Sequence, residues 1–355
     1  MATSKTAIFL TGATGYIGGA VLARLLKHPS AETFDITVLT RDANKAKKLE
    51  TFGVKAVVGT HDDLDKLESL AEQSHVVFSC ADADNLPAIQ AILQGQRKRH
   101  ASVGDLPILI HTSGTGEIAE GTKGMYASET SYSDTNVEQI KSIPETAFHR
   151  NVDLTVVAAD QQGYTKTYIV LPSTIYGIAT HPLAQAGISN PHSIQIPNII
   201  RVSIERKQAG MVGLGKSLWP DVHIDDLAEL YITIFDTVTR DPELGHGWEG
   251  FHFGENGEHS WYDISKAIAV AFVELGLGGS DEPTTFTTEE LVKFWGSEAI
   301  GLYYGSNVRC TADRGRSIGW KPRKTTKDMI ASIKPEVQSL WKEAQEEGGL
   351  KLSTS

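Results

Sequence analysis

The stretch Thr11–Gly19, TGATGYIGG, constrains this chain more than any other. It follows an apolar run, Ala7 to Leu10, and opens onto a segment in which Ile17, Val21, Leu22, Leu25 and Leu26 recur at helical spacing. Strand, glycine turn and helix in that order are the context in which a glycine pattern points to dinucleotide binding. Gly12 permits a tight turn. Gly15 leaves the backbone bare, so that a pyrophosphate can approach it. Gly18 lets the helix lie close to the strand. The helix amino terminus adds unpaired N–H groups and the positive end of its dipole. A glycine turn that binds nothing is the plain alternative, and the flanking pattern argues against it.

The 355 residues make one large or two medium domains, and 40% hydrophobic residues support a sizeable core. A net charge of −11 speaks against nucleic acid or an anionic membrane surface as a partner. No apolar run is long enough to span a bilayer. The first strand is expected within a few residues of Met1, which leaves no room for a signal peptide. Cys80 and Cys310 lie far apart without metal-ligand spacing, so no metal is expected and a reduced, cytoplasmic setting is the simplest reading.

The second strand is expected at Asp35–Arg41, DITVLTR. A carboxylate at its end would bond a ribose 2′-hydroxyl and select NAD, whereas an arginine accommodates the extra phosphate of NADP. The strand ends in Thr40 and Arg41, with Lys45, Lys47 and Lys48 beyond, which favours NADP(H) over NAD. Asp42 falls one place late but within reach of the ribose. A solvated surface charge is the bland reading of Arg41. A third strand should end near Gly59, followed by Asp62 and Asp63, which also suit a helix N-cap. A fourth spans His75–Asp84, its small residues Ser79, Cys80 and Ala81 suiting close passage of a cofactor. A fifth, from Pro107 to about Thr112, brings Ser113 to the carboxyl edge, where open α/β sheets carry their chemistry. With Gly114 and Gly116 beside it, Ser113 is also a plausible turn residue.

The spacing G-x-x-G-x-x-G resembles the first motif of the extended short-chain dehydrogenase/reductase family. The resemblance extends through PSTIYG, Pro172–Gly177, and VHIDDLAELY, Val222–Tyr231, and reaches about Pro322. It implies a Rossmann-type doubly wound parallel sheet with a smaller carboxyl-terminal α/β substrate domain. Residues 1–177 would form the first domain, its sheet completed by about 220–240 and 250–254. The second would take 178–220 and 255–330, and 331–355 would be a helix and a frayed polar tail. The resemblance implies cofactor contacts from Gly12, Thr14, Gly15, Tyr16, Ile17, Ala81, Thr112, Pro172, Thr174 and Ile175. It puts Asp63 at the adenine and Ser113 at a substrate carbonyl. Substrate contacts are expected from Asn198, Trp219, Asn307 and Arg309. The arginine could clamp an anion or merely tie down a loop. A homodimer through the helices beside strands four and five is implied as possible.

The family's Tyr-x-x-x-Lys pair is missing. Counting back from PSTIYG puts Glu145 and His149 at those positions, on the expected helix after strand five. The literal match Tyr262–Lys266 falls in the last third of the chain, outside the expected place. Tyr176, or Tyr132 and Tyr126 in the loop after strand five, are the tyrosines able to reach the right edge. His149 could shuttle a proton near neutral pH or simply bond a loop. The absence of the pair resembles the atypical members of the family, some NmrA-like, others fungal epimerase/dehydratase-like proteins of secondary metabolism. Three functions follow: an NADP(H)-dependent oxidoreductase acting on a carbonyl or alcohol of a small or medium organic molecule; a cofactor-recycling epimerase, dehydratase, isomerase or cyclase; and a non-catalytic NADP(H) redox sensor.

Overall fold

A computed structural model describes residues 5–347 and 352. The expectation of a frayed tail falls almost wholly outside these residues. Seven parallel strands form the main sheet. In chain order they are β1 (Thr6–Thr11), β2 (Phe34–Thr40), β3 (Lys55–Val58), β4 (Val76–Ser79), β5 (Ile108–Thr112), Lys166–Pro172 and Phe251–Gly254. Across the sheet they run Phe251–Gly254, Lys166–Pro172, β5, β4, β1, β2, β3. The order reverses between β1 and β4, so a crevice opens at the carboxyl end of β1, the switch point of a doubly wound sheet. Helices cover both faces, which is why the middles of the central strands are apolar: Ile8, Phe9 and Leu10 are fully buried, as are Val77, Phe78, Leu109 and Ile110.

Helix α1 (Tyr16–Leu26) leads from β1, α2 (Ala43–Glu50) from β2, α3 (Leu64–Glu72) from β3 and α4 (Leu86–Val103) from β4. β4 stops at Ser79, short of the expected Asp84. Beyond it Asp82 takes a positive φ of 39°, and the Asn85 side chain caps α4, so the chain has already turned. The segment Leu218–His223 pairs with Thr174–Tyr176 and Glu258–Ser260 in a separate three-stranded sheet rather than joining the main one. The helix after it, Ile224–Arg240, does return to pack against α1. Asp226 holds this crossing: its Oδ2 accepts from the Arg323 and Lys324 backbone N–H groups at 2.9 and 2.8 Å.

The second region packs the helices Gln195–Arg206, Trp261–Leu275 and Thr326–Glu347 together. Trp219 and Trp261 meet at 5.7 Å, and both indole N–H groups donate to the Ser306 carbonyl. No helix among the described residues is long and apolar enough to cross a membrane.

One polar clasp binds the last helix to the chain that crosses the glycine loop. Buried His192 sits 2.6 Å from Glu336 and 2.8 Å from Glu343. Burial alone would lower its pKa, but the hydrogen bond to Glu336 and the two carboxylate charges outweigh that and raise it. A raised histidine pKa stabilises the fold fully below the unfolded value and is lost as pH rises through the folded one. His192→Gln should therefore cost about 2–3 kcal/mol at pH 6 and much less at pH 9, read as the gap between wild-type and variant melting curves.

Candidate functional site

Gly12 turns the chain out of β1 with φ +78°. A Cβ there would lie 2.6 Å from the Cys80 carbonyl oxygen, and one on Gly18 2.3 Å from that of Gly12. The protein's own backbone closes both positions to side chains. Gly15 differs: a Cβ would meet only the Gly12 oxygen, at 3.2 Å, with open space beyond. Gly15 precedes α1 without a side-chain cap, and the first turn of α1 carries no acidic residue. An uncapped helix terminus behind a bare backbone fits a pyrophosphate. The residues expected to hold one are Gly12, Thr14, Gly15, Tyr16 and Ile17, of which Gly15 already donates its N–H to the Gly12 carbonyl at 2.8 Å. The Tyr16 ring is buried and its hydroxyl donates to the Gly177 carbonyl, so that side chain braces the loop.

At the crevice's outer end Arg41 is exposed just past β2. Asp42 caps α2, its Oδ1 accepting from Asn44 and Lys45 N–H at 2.8 and 3.1 Å, bonds that hold its carboxyl below the usual range. Asp63 accepts from the Thr60 N–H at 2.7 Å and makes no side-chain cap to α3. Ala81 borders a small recess at the sheet edge with Thr11, Ser79 and His111. The Cys80 thiol, pushed up to about 12 by burial, is an inert neighbour.

The register pairs Thr11 with Ser79 and Ser79 with His111, so Gly12, Cys80 and Thr112 stand level at the carboxyl edge. Ser113 comes next, 6% exposed, its hydroxyl donating to Asp153 Oδ2 at 2.6 Å. Asp153 is wholly buried. Burial, with the Glu117 charge adding to it, pushes its carboxyl well above the ordinary range. His111 lies 3.7 Å from the other Asp153 oxygen and is pushed down to about 3 by burial, hence neutral. Glu117 and Arg150 form a second buried pair at 3.0 Å; burial pushes Glu117 up to about 7 against the pull of Arg150. Thr112 bonds the Tyr231 hydroxyl at 2.7 Å. Pro172 pairs with Gly254, and Thr174 and Ile175 lie on the adjoining strand, with Thr174 Oγ1 buried and unpartnered.

The helix expected to carry Glu145 and His149 begins later, at Arg150. Pro144 starts a turn closed by the Ala147 N–H, and His149 sits at the N-cap with φ +64°. It still reaches the site. Its Nδ1 lies 2.8 Å from Asp84 Oδ1, and a Cβ on Gly114 would be 3.1 Å from its Nε2. That hydrogen bond holds the Asp84 carboxyl below its usual range.

The other expected residues divide. The Tyr176 hydroxyl donates to the Thr325 carbonyl at 2.9 Å, and burial pushes its pKa up. Tyr132 is half-buried on a short strand paired with Cys310–Thr311. Asn198 Nδ2 donates to the Tyr304 hydroxyl, and Asn307 Oδ1 accepts from the Leu218 N–H. Trp219 is buried in the aromatic cluster. Arg309 is held by both oxygens of Glu258, at 2.8 and 3.2 Å. Tyr262 and Lys266 both bond Glu282 on an exposed face. Sequence reasoning missed Asp84, Asp153 and Tyr303. Asp153 had a signal, lying one helical turn beyond His149. Tyr303 had none, since it comes from a remote segment.

Residues 4–97 match the model of the NmrA-like family. Over that stretch the chain is similar to that family. It is 27% identical to the oxidase ucsJ of an Acremonium species, over 94% of this chain and 98% of that protein. It is also 26% identical to the uncharacterized protein C2A9.02 of Schizosaccharomyces pombe, over 65% of this chain and 71% of the other. In fold it is similar to the UDP-glucose 4-epimerase of Thermotoga maritima (TM-score 0.63, 13% identity, 95% of this chain and 99% of that one). The dTDP-glucose 4,6-dehydratase of Bacillus anthracis, solved with NAD, gives 0.61 at 16% identity, over 96% and 98%. At these identities the likeness is one of fold: a Rossmann-like seven-stranded sheet with a smaller carboxyl-terminal region, as in epimerase/dehydratase enzymes.

The two kinds of glycine make a direct test. Gly15→Ala should keep the wild-type melting temperature within a few degrees and weaken nicotinamide-dinucleotide binding about tenfold or more, about 1.4 kcal/mol. Gly18→Ala should instead lower stability by about 1–3 kcal/mol. Calorimetric titration alongside thermal melts separates them.

Proposed function

We propose that this protein is an NADP(H)-dependent oxidoreductase that passes hydride between the nicotinamide and a carbonyl or alcohol of a small or medium organic molecule. The observation that carries the reading is the bare, uncapped start of α1 on the same sheet edge as Ser113. Near-full-length similarity to a fungal oxidase supports an NAD(P)-dependent enzyme of this class.

The nicotinamide, when bound, supplies or accepts the hydride. The chain's own residues bind and polarise. The α1 terminus would hold the diphosphate through backbone N–H groups. Burial pushes the Asp153 carboxyl toward the protonated form, in which it would donate to Ser113 Oγ instead of accepting from it. That frees the serine proton to point outward to a substrate oxygen. Neutral His111 behind it adds no competing charge. Exposed Arg41 would meet a 2′-phosphate, while Asp42, engaged as the α2 cap, is drawn away from the ribose.

Calorimetry with NADPH and NADH tests the cofactor. Arg41→Ala should weaken NADPH by about ten- to a hundredfold, as expected for charge-assisted bonds, and leave NADH within about twofold. Consumption of NADPH with a panel of ketones and aldehydes tests the reaction. Ser113→Ala should lower kcat by about a hundred- to a thousandfold, the usual cost of losing one positioned donor. Product without net loss of NADPH absorbance would point instead to a cofactor-recycling epimerase or dehydratase. Tight binding with no turnover of any carbonyl would point to a sensor.

A further inference from the structure

The standard proton donor of such a site is absent, and Tyr176, one of the tyrosines expected at the right edge, is engaged elsewhere. Tyr176 gives its proton to the Thr325 carbonyl, and that bond would have to break first. Another hydroxyl is already at the segment beyond Ser113. Tyr303 closes the short helix Glu298–Tyr303 of the second region. A Cβ on Gly116 would lie 2.5 Å from its Oη, so the hydroxyl rests on the bare backbone of that glycine. His149 Nε2 approaches Gly114 in the same way, two residues nearer Ser113. The Tyr303 hydroxyl has no hydrogen-bond partner among the described residues. Its ring is held edge-on by Trp219 and Phe148, each at 5.5 Å, so the hydroxyl's position is set by packing.

We propose that Tyr303, reaching across from the second region, is the catalytic proton donor at the centre bordered by Ser113, Gly114 and Gly116. The proposal rests on the oxidoreductase reading and assigns its missing acid. Burial, chiefly, pushes the phenol up, with Tyr304 and Asp84 adding to it, so the group keeps its proton at neutral pH and suits the reductive direction. In that direction the carbonyl carbon gains hydride from the reduced nicotinamide. The carbonyl oxygen takes the Tyr303 proton as the phenolic O–H bond breaks, leaving a phenolate. The nicotinamide is oxidised and the carbonyl reduced to an alcohol. The phenolate regains a proton from solvent, with the Asp84–His149 pair beside Gly114 as a carrier. The exposed ring of Phe148 beside Tyr303 offers an apolar approach for the substrate.

Tyr303→Phe keeps the ring, hence the packing, and removes only the hydroxyl. The test pairs a crystal structure of the wild-type protein with NADP+ and steady-state reduction of 4-nitrobenzaldehyde by NADPH. The proposal expects Tyr303 Oη within hydrogen-bond reach, direct or through one water, of a site shared with Ser113 Oγ beside the nicotinamide C4, about 3 Å per link. It expects Tyr303→Phe to lose about a hundredfold or more in kcat, with unchanged melting temperature and unchanged calorimetric affinity for NADPH. A complex in which Oη lies more than two such links from that site overturns the proposal, whether or not the aldehyde is turned over. So does a variant within twofold of wild type while Ser113→Ala is inactive; both results leave the oxidoreductase reading intact. Failure of every nicotinamide nucleotide to bind would overturn that reading, and the Tyr303 assignment with it.

Discussion

The approach of Gly12 to the Cys80 carbonyl underlies the rest of this structure. Two adjacent parallel strands end level with each other, and between them the chain must turn into α1 with no side chain in the gap. A methyl group at Gly12 would force β1 from β4 at the switch point, where the sheet order reverses. The contact also aims α1. Its first turn then opens onto the crevice with neither a cap nor a carboxylate, the one arrangement that leaves the dipole and the free N–H groups to an anionic ligand. The remaining strands deliver their carboxyl ends to the same line, Ser113 among them.

Beneath that line the protein buries an unusual amount of polar chemistry. His111, Asp153, Glu117 and Arg150 are all almost fully enclosed, and several of their atoms lack partners. Such groups cost stability unless paired. Here burial itself removes much of the charge, leaving His111 neutral and Asp153 favouring the acid. Only the Glu117–Arg150 pair depends on ionisation, with the Trp248 ring 5.4 Å from the guanidinium. The effect on the surface above is a serine whose hydroxyl is tied from below to Asp153.

The second region has two parts with different chemistry. Its aromatic cluster, from Trp261 through Trp219 to Tyr303, is a rigid wedge whose end meets the strip Gly114–Gly116. Its charged residues are mostly paired among themselves: Arg309 with Glu258, Arg206 with Glu290, Arg316 with Glu255. These three guanidinium groups thus brace loops.

Whatever depended on local spacing was legible in the sequence. The glycine turn, the order of strands and the serine after β5 follow from residues within a few positions of one another, because backbone sterics and helical period act at that range. The missing Tyr-x-x-x-Lys pair was equally plain. Residues whose roles depend on distant chain were not. A single turn at Pro144 moved His149 from a helix face to a helix cap, and Arg309, open in sequence to an anion clamp or a loop tie, is held by Glu258. Tyr176 looked available until Thr325 was folded over it, and Tyr303 meets Gly116 only because the second region docks on the first. Sequence alone determined the bare glycine turn that opens α1 and which strand end carries the serine. Tertiary structure alone decided which side chains come near it, because a side chain's partners across the chain are chosen by packing and not by the residues next to it.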